Sequence, residues 1–309
     1  MLSDINEKDR LPVPTQLVEI RSERYAIADS GGDGPAIILA HGWPDRKELW
    51  REVWPVLVGA GYRVIAFDWL AHGESSTPAS VSRCKISELA ADTVAILDAL
   101  GVRQAILVAH DYGATVSWET VVLYPDRFLA FVAVSVGHSA QIARDMLTGH
   151  FWHYYWLTLH GMKRLSRTWY LASNARRFHE KFASHVDADH ILKKLRSGDA
   201  ERFWTIWERA NPSYEVTARH FLAGFRKRSV RCPTLGIYTL HDEWMTEGQM
   251  KNSGRHVDGP WTYRTIDSAH WVPLEKPVEL CRLITDWLAA ENLTQKQSEK
   301  RNLPIKAER

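Results

Sequence analysis

The sequence contains few cysteines, with three among its 309 residues. Cys84, Cys232 and Cys281 lie far apart and lack the spacing of a paired metal or redox site. Their small, odd number argues against the disulfide framework of small secreted domains, and it predicts reduced, mostly buried thiols in a cytoplasmic protein. No metal site is predicted either, because His185 and His190 are five residues apart, a spacing that does not suit a zinc-binding pair.

An excess of charge of one sign and long apolar runs are also missing. The 39 basic and 37 acidic side chains give a net charge of +2, so the charge does not favour nucleic acid as a partner. No uninterrupted apolar run is long enough to span a bilayer, and the N-terminal residues are too charged for a signal peptide. The one charge-rich run, residues 294–309, predicts a disordered, solvated tail.

Short apolar runs alternate with longer helical patterns along most of the chain, which is typical of a parallel sheet covered by helices. Strands are predicted over 36–40, 63–67, 105–109, 128–136, 234–238 and 262–266, and helices over 86–100 and 280–288. The alternation stops in the middle of the chain, where five of the 14 tryptophans lie between positions 152 and 207. We therefore predict an α/β core made of residues 1–138 and 228–293. Residues 139–227 would form a helical lid over the carboxyl ends of the strands, where open α/β sheets bind ligands.

A short motif, Ala109-His110-Asp111-Tyr112-Gly113, follows the third predicted strand. Small residues on both sides of Asp111 allow a tight turn between a strand and a helix, and such a turn exposes the central side chain. The usual form of this turn is Gly-x-Ser-x-Gly, so Asp111 stands in the place of a nucleophilic serine. The alternative for Asp111 is a purely structural role as the N-cap of the next helix.

Two further residues follow the last two predicted strands and are candidate partners of Asp111. His270 follows the last predicted strand, and Asp242 follows the strand before it, 28 positions earlier. A carboxylate at that place would orient the histidine and stabilise its charged form. Glu243 is the reserve candidate for this acid. The order of nucleophile, acid and histidine along the chain is the one that this kind of turn predicts.

With these motifs, the sequence resembles the epoxide hydrolase and haloalkane dehalogenase branch of the α/β-hydrolase superfamily. The resemblance runs from about Gly32 to Leu288 and is weakest in the predicted lid. It implies an α/β-hydrolase fold, with a mostly parallel sheet flanked by helices and an inserted helical lid. It also implies that Asp111 is the nucleophile of a catalytic triad with Asp242 and His270.

The same resemblance implies an oxyanion hole beside the nucleophile. The chain reads His41-Gly42-Trp43 after the first predicted strand, and the backbone N–H groups of Trp43 and Tyr112 would stabilise the oxyanion that forms when water attacks an ester at Asp111. Four residues are expected to line the pocket: His41, His110, Trp207 and Trp271.

The predicted lid differs from the usual epoxide hydrolase pattern, in which two tyrosines act as acids. The second tyrosine normally precedes an Arg-Ala pair, but here Glu208 precedes Arg209-Ala210. At the first site, an ungapped match places His153 where the first tyrosine usually stands. His153 could donate to an alkoxide or bind a halide. Tyr154 and Tyr155 follow it and could assist.

A carboxylate nucleophile favours displacement at a saturated carbon, because the product is a stable alkyl ester on Asp111 that water, activated by His270, then hydrolyses. The sequence thus predicts an epoxide hydrolase that forms vicinal diols from small hydrophobic substrates and water, without a cofactor.

Dehalogenation remains an alternative, although Tyr112 replaces the halide-binding tryptophan common in haloalkane dehalogenases. Two further alternatives stay open: a cofactor-free oxygenase that uses His270 and Asp242, and a non-catalytic binder of small hydrophobic ligands. The sequence also leaves a homodimer open.

Overall fold

The structure is a computed structural model and describes residues 11–150, 154, 185, 187, 206–222 and 229–292. Within this part of the chain, eight strands form one sheet: β1 (Gln16–Ile20), β2 (Glu23–Asp29), β3 (Ala36–Ala40), β4 (Arg63–Phe67), β5 (Ala105–His110), β6 (Phe128–Val134), β7 (Thr234–Thr239) and β8 (Trp261–Ile266). Their order across the sheet is β1-β2-β4-β3-β5-β6-β7-β8. The pairs β1–β2 and β2–β4 are antiparallel, and every pair from β4 to β8 is parallel.

The helices of the described residues flank this sheet: α1 (Val53–Gly59), α2 (Ile86–Ala99), α3 (Tyr112–Leu123), α4 (Ser139–Leu147), α5 (Ser213–Leu222), α6 (Glu247–Lys251), α7 (Val272–Glu275) and α8 (Pro277–Ala290). Helix α1 packs against α8, and α2 packs against α3. Residues 206–210 are also helical. In the described part of the chain, no helix combines the length and the apolar character needed to cross a bilayer.

The central strands form the core because their side chains are apolar on both faces of the sheet. Every residue of β3, β5 and β6 is buried, which is why these segments are continuous apolar runs rather than alternating ones. Each fully buried Val, Leu or Ile contributes about 1.5–3 kcal/mol through removal of its side chain from water. The fold is therefore held mainly by the middle of the sheet, and the loops at its carboxyl end are free to carry polar residues.

The predicted mostly parallel sheet with flanking helices is confirmed, and the six predicted strands have their observed bounds within two residues. The largest difference is at the end of β6, which stops at Val134 because Ser135 has a left-handed backbone, with φ of 66°. Strands β1 and β2 were not predicted from the sequence. Strand β1 is an edge strand with mostly exposed side chains, so its sequence lacks the apolar run that marked the central strands.

Between β6 and β7, the described residues contain helices and no strand. Two described residues of this part of the chain, His185 and Asp187, contact the loop after β3 and the segment that follows that loop. His185 Nε2 lies 2.9 Å from Asp45 Oδ1, and the Asp187 carboxylate accepts two hydrogen bonds from Arg51 at 3.0 and 3.1 Å. The boundaries of the lid at 139–227 stay a prediction, and the predicted tail at 294–309 lies outside the described residues.

A buried ionic cluster connects the loops that follow β3 and β4. The Lys47 ammonium lies 3.0 Å from Glu48, 3.1 Å from Asp68 and 3.0 Å from Glu74, and its side chain is only 1% exposed. Asp68 Oδ1 also accepts a hydrogen bond from the Lys47 backbone N–H at 2.7 Å. Arg46 also pairs with Glu48 at 3.1 Å, but removal of the Lys47 ammonium takes away the cation that Asp68 contacts and leaves its buried charge poorly compensated.

We expect Lys47→Met to lower the free energy of unfolding by about 3–5 kcal/mol, since breaking a buried ion pair leaves its partners desolvated and unpaired. The measurement is urea denaturation followed by tryptophan fluorescence. Lys251→Met, at an exposed position on α6, is the matched control and should leave the unfolding midpoint nearly unchanged. A similarly small effect of Lys47→Met would show that the cluster does not stabilise the two loops.

Candidate active site

Asp111 lies at a sharp turn between β5 and α3, and its backbone has a left-handed conformation with φ of 52°. A non-glycine residue in this region is strained and needs support from its surroundings. The glycines nearby are required for space. A Cβ at Gly113 would overlap the carbonyl oxygens of Ala40 and His41, and a Cβ at Gly42 would overlap the Asp111 side chain. The small residues of the two motifs thus allow β3 and the turn after β5 to approach closely.

The Asp111 carboxylate contacts a backbone donor on one side and an imidazole on the other. Its Oδ1 accepts a hydrogen bond from the Trp43 backbone N–H at 2.8 Å, and its Oδ2 lies 3.3 Å from His270 Nε2. The Asp111 side chain is 17% exposed, against 4% for His270. The carboxylate is therefore the part of this pair that a small molecule can reach. Tyr112, the other predicted oxyanion donor, begins α3 directly after it.

Asp242 holds the opposite side of the histidine. Its Oδ2 lies 2.8 Å from His270 Nδ1 and accepts a hydrogen bond from Thr239 Oγ1 at 3.1 Å. Its Oδ1 accepts the backbone N–H groups of Trp244 at 2.8 Å and Met245 at 2.9 Å. The carboxylate is fully buried, and four donors orient it. Glu243, the reserve candidate, is exposed.

The charges of these three residues depend on one another. Burial would lower the pKa of His270, but the adjacent Asp242 and Asp111 carboxylates outweigh burial and raise it to about 10. Burial would raise the pKa of Asp111, but the hydrogen bond from His270 and its charge hold it below the usual range. At neutral pH the site therefore contains an imidazolium between two carboxylates.

The loop that carries His270 is fixed from behind by polar contacts. His110 Nε2–H donates to the His270 carbonyl at 2.9 Å, and Ser135 Oγ donates to the same oxygen at 3.3 Å. Burial, followed by the charge of His270, lowers the pKa of His110 to about 4, so His110 is a neutral donor. The Glu275 carboxylate accepts Ser268 Oγ at 2.7 Å and the Ala269 backbone N–H at 2.8 Å.

Glu275 and Ser135 were given no role from the sequence. The signal for Glu275 was its place in the Glu-Lys-Pro run after the histidine, whereas nothing in the sequence marked Ser135. Both positions depend on which loops meet at the edge of the sheet. They act on the orientation of His270 through its loop and do not reach the Asp111 carboxylate.

Trp271 and Asp45 connect the His270 loop to the loop after β3. Trp271 Nε1 donates to Asp45 Oδ2 at 3.1 Å, and His185 Nε2 lies 2.9 Å from Asp45 Oδ1. Burial would raise the pKa of Asp45, but the charge of His185 and the hydrogen bond from it hold the pKa below its usual value. A residue of the predicted lid is thereby attached to both loops that surround Asp111.

The neutral His41 ring makes two hydrogen bonds with the backbone. Its Nδ1–H donates to the Gly42 carbonyl at 2.7 Å, and its Nε2 accepts the Trp69 backbone N–H at 3.2 Å. Burial lowers its pKa. Trp207 is buried, and its ring stacks on Tyr112 with centroids 4.2 Å apart. His41 and Trp207 therefore pack against the loops and the helix that hold the Asp111 carboxylate.

Of the lid candidates, Tyr154 is the one that the structure describes. It is buried, and its hydroxyl lies 2.9 Å from Thr246 Oγ1, four residues after Asp242 in the chain. Burial raises the pKa of the Tyr154 phenol. His153 and Tyr155 lie outside the described residues, so the assignment of the lid acid stays a prediction.

The arrangement contains the parts needed for nucleophilic substitution followed by hydrolysis: an accessible carboxylate, an N–H donor beside it, and an imidazole oriented by a second carboxylate. Among the described residues, no group of three or more His, Cys, Asp and Glu side chains could hold a metal ion. The carboxylate and imidazole side chains of this site can attack through oxygen and transfer protons.

Residues 35–277 match the protein family described as alpha/beta hydrolase fold. Epoxide hydrolase A of Mycobacterium tuberculosis is 26% identical to the chain over 318 residues, which cover 91% of this chain and 99% of that protein. Epoxide hydrolase B of the same organism is 44% identical over 114 residues, but these cover 36% of this chain and 32% of that protein. The chain thus matches about a third of the length of that relative.

Among solved structures, epoxide hydrolase A from Mycobacterium thermoresistibile is similar to this chain, with a TM-score of 0.68 and 24% identity. The similarity covers 89% of this chain and 98% of that one. At this identity the likeness establishes the fold, which agrees with the sheet order and the flanking helices described above.

We expect Asp242→Asn to lower the pKa of His270 below its value of about 10, because the neutral amide no longer stabilises the imidazolium. The imidazole signal should then lose its proton at a lower pH in an NMR titration, with the signal assigned by its loss in His270→Gln. Asp267→Asn, an exposed carboxylate that pairs with His241, is the control. An unchanged His270 titration in Asp242→Asn would mean that Asp242 does not govern its charge.

Proposed function

The chain belongs to the alpha/beta hydrolase fold family, and on that basis we propose that it is an epoxide hydrolase that opens small hydrophobic epoxides to vicinal diols. The observation that carries the proposal is the position of His270 between two carboxylates. Its Nε2 lies 3.3 Å from Asp111 Oδ2, and its Nδ1 lies 2.8 Å from Asp242 Oδ2. An imidazole in this position can activate water beside an ester at Asp111, while Asp242 orients the ring.

Asp111 acts as the nucleophile in this proposal. Its Oδ1 stays with the Trp43 N–H, while Oδ2 attacks a ring carbon of the epoxide and the carbon–oxygen bond of the ring breaks. The product is an alkyl ester on Asp111, a covalent intermediate that separates one difficult displacement into two easier steps. The aromatic residues around the turn, including Tyr112 and Trp207, favour an apolar substrate.

Formation of the ester changes the state of His270. One of the two carboxylates that raise the pKa of His270 becomes neutral, so the imidazole loses its proton more readily than in the free enzyme. Neutral His270 then takes a proton from water, and Asp242 stabilises the imidazolium that results. The water oxygen attacks the Asp111 carboxyl carbon, and the Trp43 N–H stabilises the negative charge on Oδ1. The acyl–oxygen bond then breaks as the His270 imidazolium gives its proton to the departing oxygen, which releases the diol.

The substrate class is supported by the relatives named epoxide hydrolase, one of which aligns with 91% of this chain. The same carboxylate could displace a halide, which is the second reaction of this branch. An oxygenase reaction would need His270 and Asp242 but not Asp111. The three reactions differ in the covalent product at Asp111, and this difference provides the test.

We expect the His270→Gln variant to form a stable ester at Asp111, because the displacement proceeds while the hydrolysis lacks its base. Intact-protein mass spectrometry after incubation with aryl and alkyl epoxides should show an adduct of the whole epoxide mass, and peptide mapping should locate it at Asp111. Haloalkanes of matched size are included, and an adduct without the halogen would indicate a dehalogenase.

The matched control is the double variant Asp111→Asn/His270→Gln, which should form no adduct with the same epoxide because an amide is a poor nucleophile. An adduct that persists in this variant, or none in folded His270→Gln with any compound, would remove the covalent mechanism. Turnover that survives Asp111→Asn but not His270→Gln would indicate the oxygenase.

A further inference from the structure

Glu208 is a buried carboxyl group that the steps above do not use. The residue is 7% exposed, and its Oε2 has no hydrogen-bond partner among the described residues. A buried carboxylate without a compensating donor or cation is strongly disfavoured. The site therefore favours the protonated form of this group, which is a hydrogen-bond donor.

Trp207 and Asn211, which flank Glu208 in the chain, contact the start of α3, directly after the nucleophile. The preceding residue, Trp207, stacks on the Tyr112 ring at 4.2 Å between centroids. Asn211 donates to the Tyr112 hydroxyl at 3.0 Å and to the Cys84 carbonyl at 2.8 Å. Tyr112 directly follows Asp111 in the chain, so these contacts fix Glu208 on the part of the core that presents the nucleophile.

We propose that Glu208, as a neutral carboxylic acid, is a catalytic residue that gives a proton to the epoxide oxygen as the ring opens. The inference rests on the proposed function above. As Asp111 Oδ2 bonds to the ring carbon, the electron pair of the breaking carbon–oxygen bond passes to the epoxide oxygen. That oxygen takes the proton from Glu208, which leaves a hydroxyl on the bound intermediate and a carboxylate at position 208.

The protonation state of Glu208 in the free enzyme agrees with this role. Burial raises the pKa of Glu208 to about 8; its own backbone N–H opposes the shift, and the negative charge of Asp111 adds to it. The acid therefore holds its proton at neutral pH, and its pKa lies close to the working pH, where general acids are most effective. Asp111, in contact with a donor and an imidazolium, remains a carboxylate.

The protons balance over the full cycle. In the second step His270 takes one hydrogen from water, and the water oxygen becomes part of the Asp111 carboxyl group. One of the two water hydrogens passes through His270 to the second hydroxyl of the diol, and the other leaves the Asp111 carboxyl group and restores the acid at Glu208 through solvent. The proton that His270 released to solvent after ester formation returns to it from solvent. The enzyme returns to its starting charge, and the net reaction is the addition of water to the epoxide.

The experiment measures the rate of ester formation at Asp111 in the His270→Gln background, by rapid quench and mass spectrometry with an aryl epoxide. Glu208→Gln keeps the size of the side chain but removes the acidic proton. We expect it to slow ester formation by about 100-fold or more, the effect that general acid catalysis typically has. Glu215→Gln, the same change at an exposed position on α5, should leave the rate unchanged.

The pH dependence separates an acid from a purely structural residue. With Glu208 present, the rate should fall as the pH rises through about 8, because the donor is lost. With glutamine at this position, the slow rate should not change over the same range. The ionisable groups that act on Glu208 in the described structure are Asp111 and Tyr112, and His270 is absent from this background.

The possible results distinguish this inference from the proposed function. Rapid ester formation in the Glu208→Gln variant would overturn the role of Glu208 and leave the epoxide hydrolase intact. Absence of any ester in the His270→Gln parent would remove both. A second measurement needs no substrate. The infrared spectrum of the protein at pH 7 should contain a carbonyl band of a carboxylic acid, and this band should be lost in Glu208→Gln but kept in Glu215→Gln. If Glu208→Gln loses no such band, the inference is also overturned.

Discussion

The backbone conformation of Asp111 is the constraint on which the rest of the site depends. Its φ of 52° places a left-handed residue between β5 and α3, at a cost on the order of 1–3 kcal/mol. The buried parallel strands sustain this strain, and Gly42 and Gly113 leave the space that the turn requires. In return, the carboxylate reaches both the Trp43 N–H and His270 from a short, rigid connection.

Two carboxyl groups of the site have opposite protonation because their surroundings differ. Asp111 accepts a backbone N–H and faces an imidazolium, so its pKa lies below the usual range. At Glu208 burial outweighs the hydrogen bond from its own backbone N–H, and its pKa is raised to about 8. In the proposed reaction, two groups of the same chemical type thus serve as nucleophile and as acid in one site. The charge of His270 responds to Asp111, which links the two steps of the proposed reaction.

Contacts between distant parts of the chain determine how the predicted lid meets the core. Asp45 receives His185 from the middle of the chain and Trp271 from its last quarter. Asn211 reaches Tyr112 at the start of α3. Each contact fixes a loop that carries a group of the candidate active site, so the orientation of these side chains depends on packing beyond their own strands. The partners are separated by many residues, and a single sequence contains no signal for such pairs.

The sequence by itself determined the family and the succession of buried strands, because continuous apolar runs and the turn around Asp111 are local patterns. It also marked Asp242 and His270 by their places after successive strands. Only the tertiary structure decided that β1 and β2 form an antiparallel edge, that Glu275 holds the His270 loop, and that Glu208 Oε2 is buried with no hydrogen-bond partner among the described residues. These features depend on solvent exclusion and contacts across the sheet, and the pKa of a carboxyl group follows from those surroundings rather than from its neighbours in sequence.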